Sequence, residues 1–112
     1  MPKAAVVKNH TSKYHDPIKF TTGDILKVGR SDDEYPEWVW CTSKDNKEGW
    51  VPKKYIEIDN DAASALVDYD ATELNVVTGE ELELFREESG WVWCKKKTGE
   101  MGWVPLNNLK II

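Results

Sequence analysis

The sequence predicts an all-β protein made of two small, partly open β-barrels in tandem. The segment Trp-Val-Trp-Cys at residues 38–41 recurs at residues 91–94, and Gly-Trp-Val-Pro at residues 49–52 recurs at residues 102–105. Both recurrences are 53 residues apart (91 − 38 and 102 − 49), which indicates a tandem repeat. No stretch has a sustained helical period, and short segments rich in β-forming residues alternate with turn residues.

In the first repeat, turn residues bound each predicted strand. A short strand at 5–8 is followed by a long loop at 9–22, and the turn signal Gly23-Asp24 precedes a strand at 25–28. An acidic loop at 31–36 leads to the central strand at 38–43, whose aromatic and β-branched residues favour extended backbone. A polar turn at 44–48 joins it to the strand at 49–52, and a short helical turn at 52–55 leads into 56–58.

The second repeat has the same order with shorter loops. Its opening strand is at 65–69, and its Gly turn and next strand are at 79–84. The interval from opening strand to Gly turn is 18 residues in the first repeat (5 to 23) and 14 in the second (65 to 79). Loops vary in this way on a common scaffold. We therefore predict two domains, 1–58 and 59–112, joined by a linker around 59–62 that is short enough to hold them close together.

The composition is typical of small, aromatic-rich domains without a membrane span. Six Trp, four Tyr and two Phe residues supply large rings to bury, which modules of this size need because they bury only about 60% of their unfolded surface. The apolar runs are too short to span a bilayer, and the charged start of the chain is unlike a signal peptide. Cys41 and Cys94 occupy the same position in the two repeats and are predicted to be free, buried thiols. We expect a cytoplasmic protein.

The charge distribution disfavours nucleic acid as a partner. Residues 1–58 carry ten Lys/Arg and nine Asp/Glu, and residues 59–112 carry five and eleven. Neither half therefore has the basic surplus that phosphate binding needs. No His or Cys spacing is typical of a metal site, and no nucleophile has a base at a recognisable spacing. The sequence predicts a protein without catalytic residues, metal or cofactor.

The second repeat resembles the Src-homology 3 (SH3) pattern. Its motifs follow that pattern in order: Ala-Leu-Val-Asp-Tyr at 65–69, Glu73-Leu74, Gly79-Glu80, Trp91, Gly-Trp-Val-Pro at 102–105, and Leu109. The first repeat is more divergent and resembles the variant SH3 domains of prokaryotic proteins, with Tyr-His-Asp-Pro-Ile at 14–18 in its first loop. The resemblance covers nearly the whole chain, once per repeat, and implies two tandem SH3-like barrels.

The resemblance also implies a shallow aromatic groove that binds extended, proline-rich peptides, with a protein or peptide as the partner. By position, the first module contributes an acid, Asp16, with the groove residues Trp38, Trp50, Pro52 and Tyr55. The second contributes an acid, Glu73, with the groove residues Tyr69, Trp91, Trp103 and Pro105. Neither set is complete. Tyrosine positions of the family are held by Val7 and Asn9 in the first module and by Val67 and Asn108 in the second.

Trp40 and Trp93 leave two interpretations open. Strand alternation places Val39 and Cys41 on one face of their strand and both tryptophans of the motif on the other face. The same alternation applies to the second repeat. Two tryptophans on an outer face form an apolar patch, which marks either an interaction site or a contact between the modules. The primary hypothesis is thus a non-catalytic module that binds peptides. The alternative is a structural or self-associating tandem whose aromatic residues are buried between modules, with no peptide groove.

Overall fold

The computed structural model describes residues 2–13, 16–34 and 36–112. Tyr14 and His15, which belong to the predicted first loop, lie outside the described residues, as does Tyr35. Within the described part the regular structure is strand apart from two 3-10 turns, which confirms the all-β prediction. No helix there is long and apolar enough to cross a membrane. The strands are β1 (Lys3–Val6), β2 (Lys19–Phe20), β3 (Ile25–Ser31), β4 (Trp38–Thr42), β5 (Glu48–Pro52), β6 (Ile56–Asp59), β7 (Ala62–Ala65), β8 (Tyr69–Asp70), β9 (Glu81–Glu88), β10 (Trp91–Lys95), β11 (Met101–Pro105) and β12 (Leu109–Ile111), and the 3-10 turns are Lys53–Tyr55 and Leu106–Asn108.

The first strand of each repeat lies in a sheet with the later strands of the other repeat. One five-stranded sheet has the order β11-β10-β9-β1-β12, the other has the order β5-β4-β3-β7-β6, and β2 pairs with β8. In the first sheet Ala5 of β1 lies opposite Glu81 and Lys110. In the second, Ser64 of β7 lies opposite Ile25 and Glu57. We call this reciprocal arrangement the strand exchange.

The strand exchange gives the chain two compact units. The split unit consists of Met1–His15 and Thr72–Ile112, and the continuous unit is Asp16–Ala71. The division into 1–58 and 59–112 therefore describes the sequence repeats, whereas the compact units divide the chain elsewhere. The reason is that the opening strand and the adjoining loop arm of each repeat pair with strands of the other repeat.

A tight turn accounts for the exchange. Asp59 lies opposite Ala62, so Asn60 and Asp61 form the two-residue loop of a hairpin between β6 and β7. Asn60 has a φ of 61°, a conformation that such hairpin turns require and that Asn tolerates. The residues predicted as a linker thus send β7 directly back along β6, and β1 takes the corresponding place beside β12.

Alternation along the tryptophan strands directs one face of each strand into a core. Val39 and Cys41 are 2% and 0% exposed, and Val92 and Cys94 are 4% and 0% exposed, as the alternation predicted. Both cysteines are free and buried, which confirms that prediction. Burial raises the pKa of Cys41 to about 11 and that of Cys94 to about 12. These thiols are therefore protonated and unreactive near neutral pH.

The glycines of the two Gly-Trp-Val-Pro segments allow a loop arm to pack closely on the sheet. A Cβ atom at Gly49 would lie 2.8 Å from Cγ2 of Ile18. A Cβ atom at Gly102 would lie 2.9 Å from the carbonyl oxygen of Thr72 and 3.0 Å from the backbone nitrogen of Leu74. Real Cβ contacts are not this short, so only glycine fits at either position without a local shift.

Candidate functional site

In each unit, the motif residues Trp, Trp, Trp and Pro share one face of a hairpin. In the continuous unit Trp38 lies opposite Pro52, and Trp40 lies opposite Trp50. In the split unit the corresponding pairs are Trp91 with Pro105 and Trp93 with Trp103. Directly opposed residues in antiparallel strands point to the same side of the sheet, and so do residues two apart. Each hairpin therefore has a continuous aromatic face.

One end of each face is an edge-to-face tryptophan pair capped by arginine. The ring centroids of Trp40 and Trp50 are 5.1 Å apart at an interplanar angle of 77°, and the Arg30 guanidinium lies 5.4 Å from the Trp50 ring centroid. In the split unit the rings of Trp93 and Trp103 are 5.3 Å apart at 68°. These geometries are the favoured ones for aromatic and cation–π contacts.

The arginine of the split unit, Arg86, lies 5.4 Å from the Trp103 ring centroid. Trp40 and Trp93, whose role the sequence left open, thus pack against a tryptophan of the neighbouring strand within their own unit. The sequence interpretation missed both arginines. Their signal was weak, since each precedes the motif by a loop of different length.

A tyrosine from the second repeat also belongs to the continuous unit. Tyr69 reaches this unit through β7 and β8, and its ring centroid lies 5.5 Å from that of Tyr55 at an angle of 62°. The Tyr69 hydroxyl donates a hydrogen bond to the carbonyl oxygen of Trp50 at 3.1 Å. The structure thus brings Trp38, Pro52, Tyr55 and Tyr69 into one unit. The prediction that Tyr69 joins the groove of Trp91 is wrong because the strand exchange moves it.

The exposure of this groove is low at its base and higher at its edge. Trp38, Tyr55 and Tyr69 are 8%, 8% and 6% exposed, so little of any of these three rings is open to solvent. Leu66 and Val67, which follow β7, are 48% and 38% exposed. The Leu66 N–H donates to the carbonyl oxygen of Tyr55 at 2.9 Å, which holds this apolar segment beside the tyrosines.

Equivalent contacts in the two units establish how the opening strands align. Thr22 binds the carboxylate of Asp68 through its backbone N–H at 2.9 Å, and Thr78 binds the side-chain oxygen of Asn9 in the same way at 2.7 Å. Asn9 therefore corresponds to Asp68, and the next residue, His10, corresponds to Tyr69. The prediction that Val7 and Asn9 hold the early tyrosine positions is wrong by one residue.

In the split unit Lys8 and His10 hold those early tyrosine positions. At two positions this unit has a polar residue where the continuous unit has a tyrosine. His10 corresponds to Tyr69, and Asn108 corresponds to Tyr55. Nε2 of His10 lies 2.8 Å from Oε1 of Glu73, and the His10 ring meets the Trp91 ring edge-on, with centroids 5.6 Å apart at 78°. The Asn108 amide donates to the carbonyl oxygens of Lys8 and Asn9, each at 3.2 Å. His10 was missed because only cross-strand pairing reveals its register.

The two predicted acids have different surroundings. Glu73 lies beside Trp103, with which it forms a parallel bridge, and its side chain is 15% exposed. The Asp16 side chain is 77% exposed and lies 3.1 Å from Nζ of Lys47. A hydrogen bond from Lys47 to Asp16 raises the pKa of that lysine. Asp16 is thus an exposed, paired acid at the edge of the continuous unit.

The strand exchange also redistributes charge. The continuous unit has thirteen Asp/Glu and seven Lys/Arg, a net charge of −6, and the split unit has seven Asp/Glu and eight Lys/Arg, a net charge of +1. The sequence halves had the opposite order, because the basic residues near the N-terminus belong to the split unit. The unit that contains the tyrosine groove is therefore the strongly acidic one.

Comparison with protein families gives one match, repeated along the chain. Residues 3–59 and 62–112 each match the model of the variant SH3 domain. The chain has no match among curated proteins, and none among solved structures. Among the described residues, no group of three or more His, Cys, Asp or Glu side chains could hold a metal ion.

Proposed function

The chain belongs to the variant SH3 domain family, and we propose that its continuous unit binds extended, proline-rich peptide segments of a partner protein. SH3 domains are generally protein-interaction modules and typically non-catalytic. The observation that carries the proposal is the Tyr55–Tyr69 pair, assembled with Trp38 and Pro52 by the strand exchange. Rigid rings packed edge-to-face beside an exposed apolar edge suit a polyproline II segment, which loses little entropy on docking.

The charge of the continuous unit supports a basic peptide as the ligand. A net charge of −6 on 56 residues attracts cationic peptides and raises their association rate at low salt. Surface attraction of this kind is screened over about 8 Å at physiological ionic strength. We therefore expect the affinity for a proline-rich peptide to rise when the peptide carries lysine or arginine and to fall as salt is added.

The proposed binding site contains the predicted residues of the continuous unit and the exposed edge beside them. Tyr55, Tyr69 and Trp38 form its base, and Leu66 and Val67 form its edge. Trp50 supports it through the Trp40 pair, Pro52 lies opposite Trp38, and Asp16 adds negative charge. We propose Glu73, Trp91, Trp103 and Pro105 as a second, more polar site in the split unit.

The test is a titration of the whole chain with a proline-rich peptide that contains one arginine. The chemical shifts of the tryptophan indole N–H groups are measured at each peptide concentration. Val67→Lys is the key variant, because Val67 is 38% exposed and follows Leu66, whose N–H bonds the Tyr55 carbonyl oxygen. Val77→Lys is the matched control, since Val77 is 57% exposed and belongs to the split unit. We expect Val67→Lys to weaken binding about tenfold through obstruction and like charge, and Val77→Lys to leave it unchanged.

Unperturbed Trp38 and Trp50 signals at millimolar peptide would remove the support for this function. The low exposure of Trp38 favours a second candidate, the structural or self-associating tandem without a peptide groove. Sedimentation over a range of concentrations distinguishes the two, because only self-association makes the sedimentation coefficient rise with concentration. The expected cytoplasmic location rests on the two free cysteines and stays a prediction.

A further inference from the structure

The last strand of each unit lies at an edge of its sheet. β6 is at one end of the order β5-β4-β3-β7-β6, and β12 is at one end of the order β11-β10-β9-β1-β12. Within the described part of the chain, no strand pairs with the outer side of either one. Such an edge presents backbone N–H and C=O groups that can pair with a strand of another molecule.

One residue in each edge strand directs its backbone groups away from the sheet. In antiparallel pairs, every second residue bonds the neighbouring strand. The Leu66 N–H donates to the Tyr55 carbonyl oxygen at 2.9 Å, in the register that β6 and β7 share, so the backbone of Ile58 points away from β7. The Ile112 N–H donates to a carbonyl oxygen of the β1 strand at 3.0 Å, so the backbone of Ile111 points away from β1.

Ile58 and Ile111 are the residues through which the two edges can pair. The N–H groups of Ile56 and Leu109 are already used, because each donates to a carbonyl oxygen of the preceding 3-10 turn. Ile58 and Ile111 hold the same position in the two repeats, 53 residues apart (111 − 58). Their side chains are 42% and 57% exposed, so a pairing strand would cover apolar surface at both edges.

The charges beside these two residues are complementary. β6 has Glu57 and Asp59 where β12 has Lys110 and Ile112, and the units that contain these strands have net charges of −6 and +1. Two copies of β6 would bring acids opposite each other, which destabilises a strand pair, and two copies of β12 would bring no opposite charges together. Only the pairing of β6 with β12 joins an acid to a base.

We propose that β6 of one copy of this chain pairs antiparallel with β12 of a second copy, with Ile58 opposite Ile111. This register places Asp59 opposite Lys110 of the second copy. Every copy has one edge of each kind, so the contact is heterologous and further copies can add to it. A single pair of short strands forms a small contact, and the association is therefore weak and occurs at high protein concentration.

The test reverses the charge at each edge of the whole chain and follows the sedimentation coefficient up to millimolar concentration. Lys110→Glu and Asp59→Lys should each weaken the association of the natural chain about tenfold, because like charges then lie opposite each other. An equimolar mixture of the two variants should associate as the natural chain does, since each edge of one variant meets an edge of opposite charge on the other. A mixture or a natural chain that stays monomeric at millimolar concentration would overturn the proposal.

A second pair of variants leaves the hairpin turn after Asp59 unchanged. Ile111→Lys should abolish the association, because a charge at the pairing residue blocks a sheet edge. Ile25→Lys is the matched control, since Ile25 is 62% exposed but lies in β3, which has a partner strand on both sides. Equal losses in Ile111→Lys and Ile25→Lys would overturn the proposal. So would a loss in Ile111→Lys with none in Asp59→Lys, which would indicate that two copies of β12 pair.

The indole N–H signals keep this result apart from the proposed peptide groove. Trp38 and Trp50 belong to neither edge strand, so their chemical shifts should stay constant while the natural chain associates. Ile111→Lys should bind the proline-rich peptide as the natural chain does. Association that survives Ile111→Lys and shifts the indole signals would support burial of the aromatic residues and contradict the edge pairing. Edge pairing without a peptide response would remove the groove alone.

Discussion

A disulfide between β1 and β12 should form only if the strand exchange is present. Ala5 lies opposite Lys110, and two residues away the Ile112 N–H donates to the carbonyl oxygen of Lys3 at 3.0 Å. Hydrogen-bonded pairs recur every second residue, so Ala5 and Lys110 form such a pair, with Cα atoms about 5.5 Å apart. This separation lies within the range of about 4.4–6.8 Å that a disulfide spans. We therefore expect Ala5→Cys/Lys110→Cys to oxidise to an intramolecular disulfide.

The stabilisation follows from the length of the loop that the bond closes. Residues 5 and 110 are 105 positions apart in the sequence (110 − 5), and a loop of about 100 residues implies an upper limit of about 4.7 kcal/mol. Engineered bonds usually deliver less, because they strain the native geometry. We expect the free energy of unfolding in urea to be about 3 kcal/mol higher for the oxidised variant than for the reduced one. Cys41 and Cys94 should not compete, since burial raises their pKa values to about 11 and 12.

The matched control places the second cysteine where β1 would pair without exchange. Glu57 occupies in the first repeat the position of Lys110 in the second, 53 residues earlier (110 − 57). Ala5→Cys/Glu57→Cys should therefore stay reduced, which thiol titration and mobility on a non-reducing gel would show. Efficient oxidation of this control, with a reduced Ala5→Cys/Lys110→Cys variant, would refute the exchange. Covalent dimers at low protein concentration would show that strands are exchanged between chains instead.

Three further outcomes follow from the packing. Gly102→Ala should lower the free energy of unfolding by about 1–3 kcal/mol, and Gly49→Ala should lower it by less. The reason is that a Cβ atom at Gly102 meets backbone atoms, whereas one at Gly49 meets a side-chain methyl group. Urea denaturation compares the two variants, and equal or reversed effects would contradict the packing. Above pH 9.0 the unfolded thiols of Cys41 and Cys94 ionise while the folded ones do not until about pH 11 and 12, so stability should fall by up to about 1.4 kcal/mol per pH unit for each thiol. The double variant Cys41→Ala/Cys94→Ala should lack that part of the pH dependence, and an unchanged profile would be evidence against buried thiols. Asn108→Ala should cost about 1 kcal/mol, because two backbone carbonyls lose their amide donor; no change in the urea midpoint would show that water replaces the amide.

The sequence predicted the sheet faces correctly and the groove membership only in part. Val39 and Cys41 face a core because strand alternation is local and has an unambiguous period. The alignment of the opening strands was wrong by one residue, since it relied on motif letters and not on cross-strand contacts. His10 was overlooked for the same reason. A shift of one residue in a strand changes the face of every side chain in it.

The assignment of Tyr69 to one groove required tertiary information. The motif that contains Tyr69 belongs to the second repeat by sequence, yet the ring lies 5.5 Å from Tyr55 of the first. The charge of each groove changed with this assignment. The basic N-terminal residues belong to the split unit, and the acidic residues around Tyr69 belong to the continuous unit. Specificity arguments based on the sequence halves would therefore have the wrong sign.

The sequence by itself determined that the chain contains two all-β repeats of the SH3 type, with tryptophans on one strand face and cysteines on the other. These features depend on local periodicity and on motifs that are complete within each repeat. Only the tertiary structure decided which opening strand belongs to which sheet. β1 and β7 are both four-residue strands with two buried positions. Their burial patterns therefore allow either strand to pair with β6 or with β12. The tight turn at Asn60 decides between them, since it pairs β7 with β6 and leaves β1 to complete the split unit beside β12.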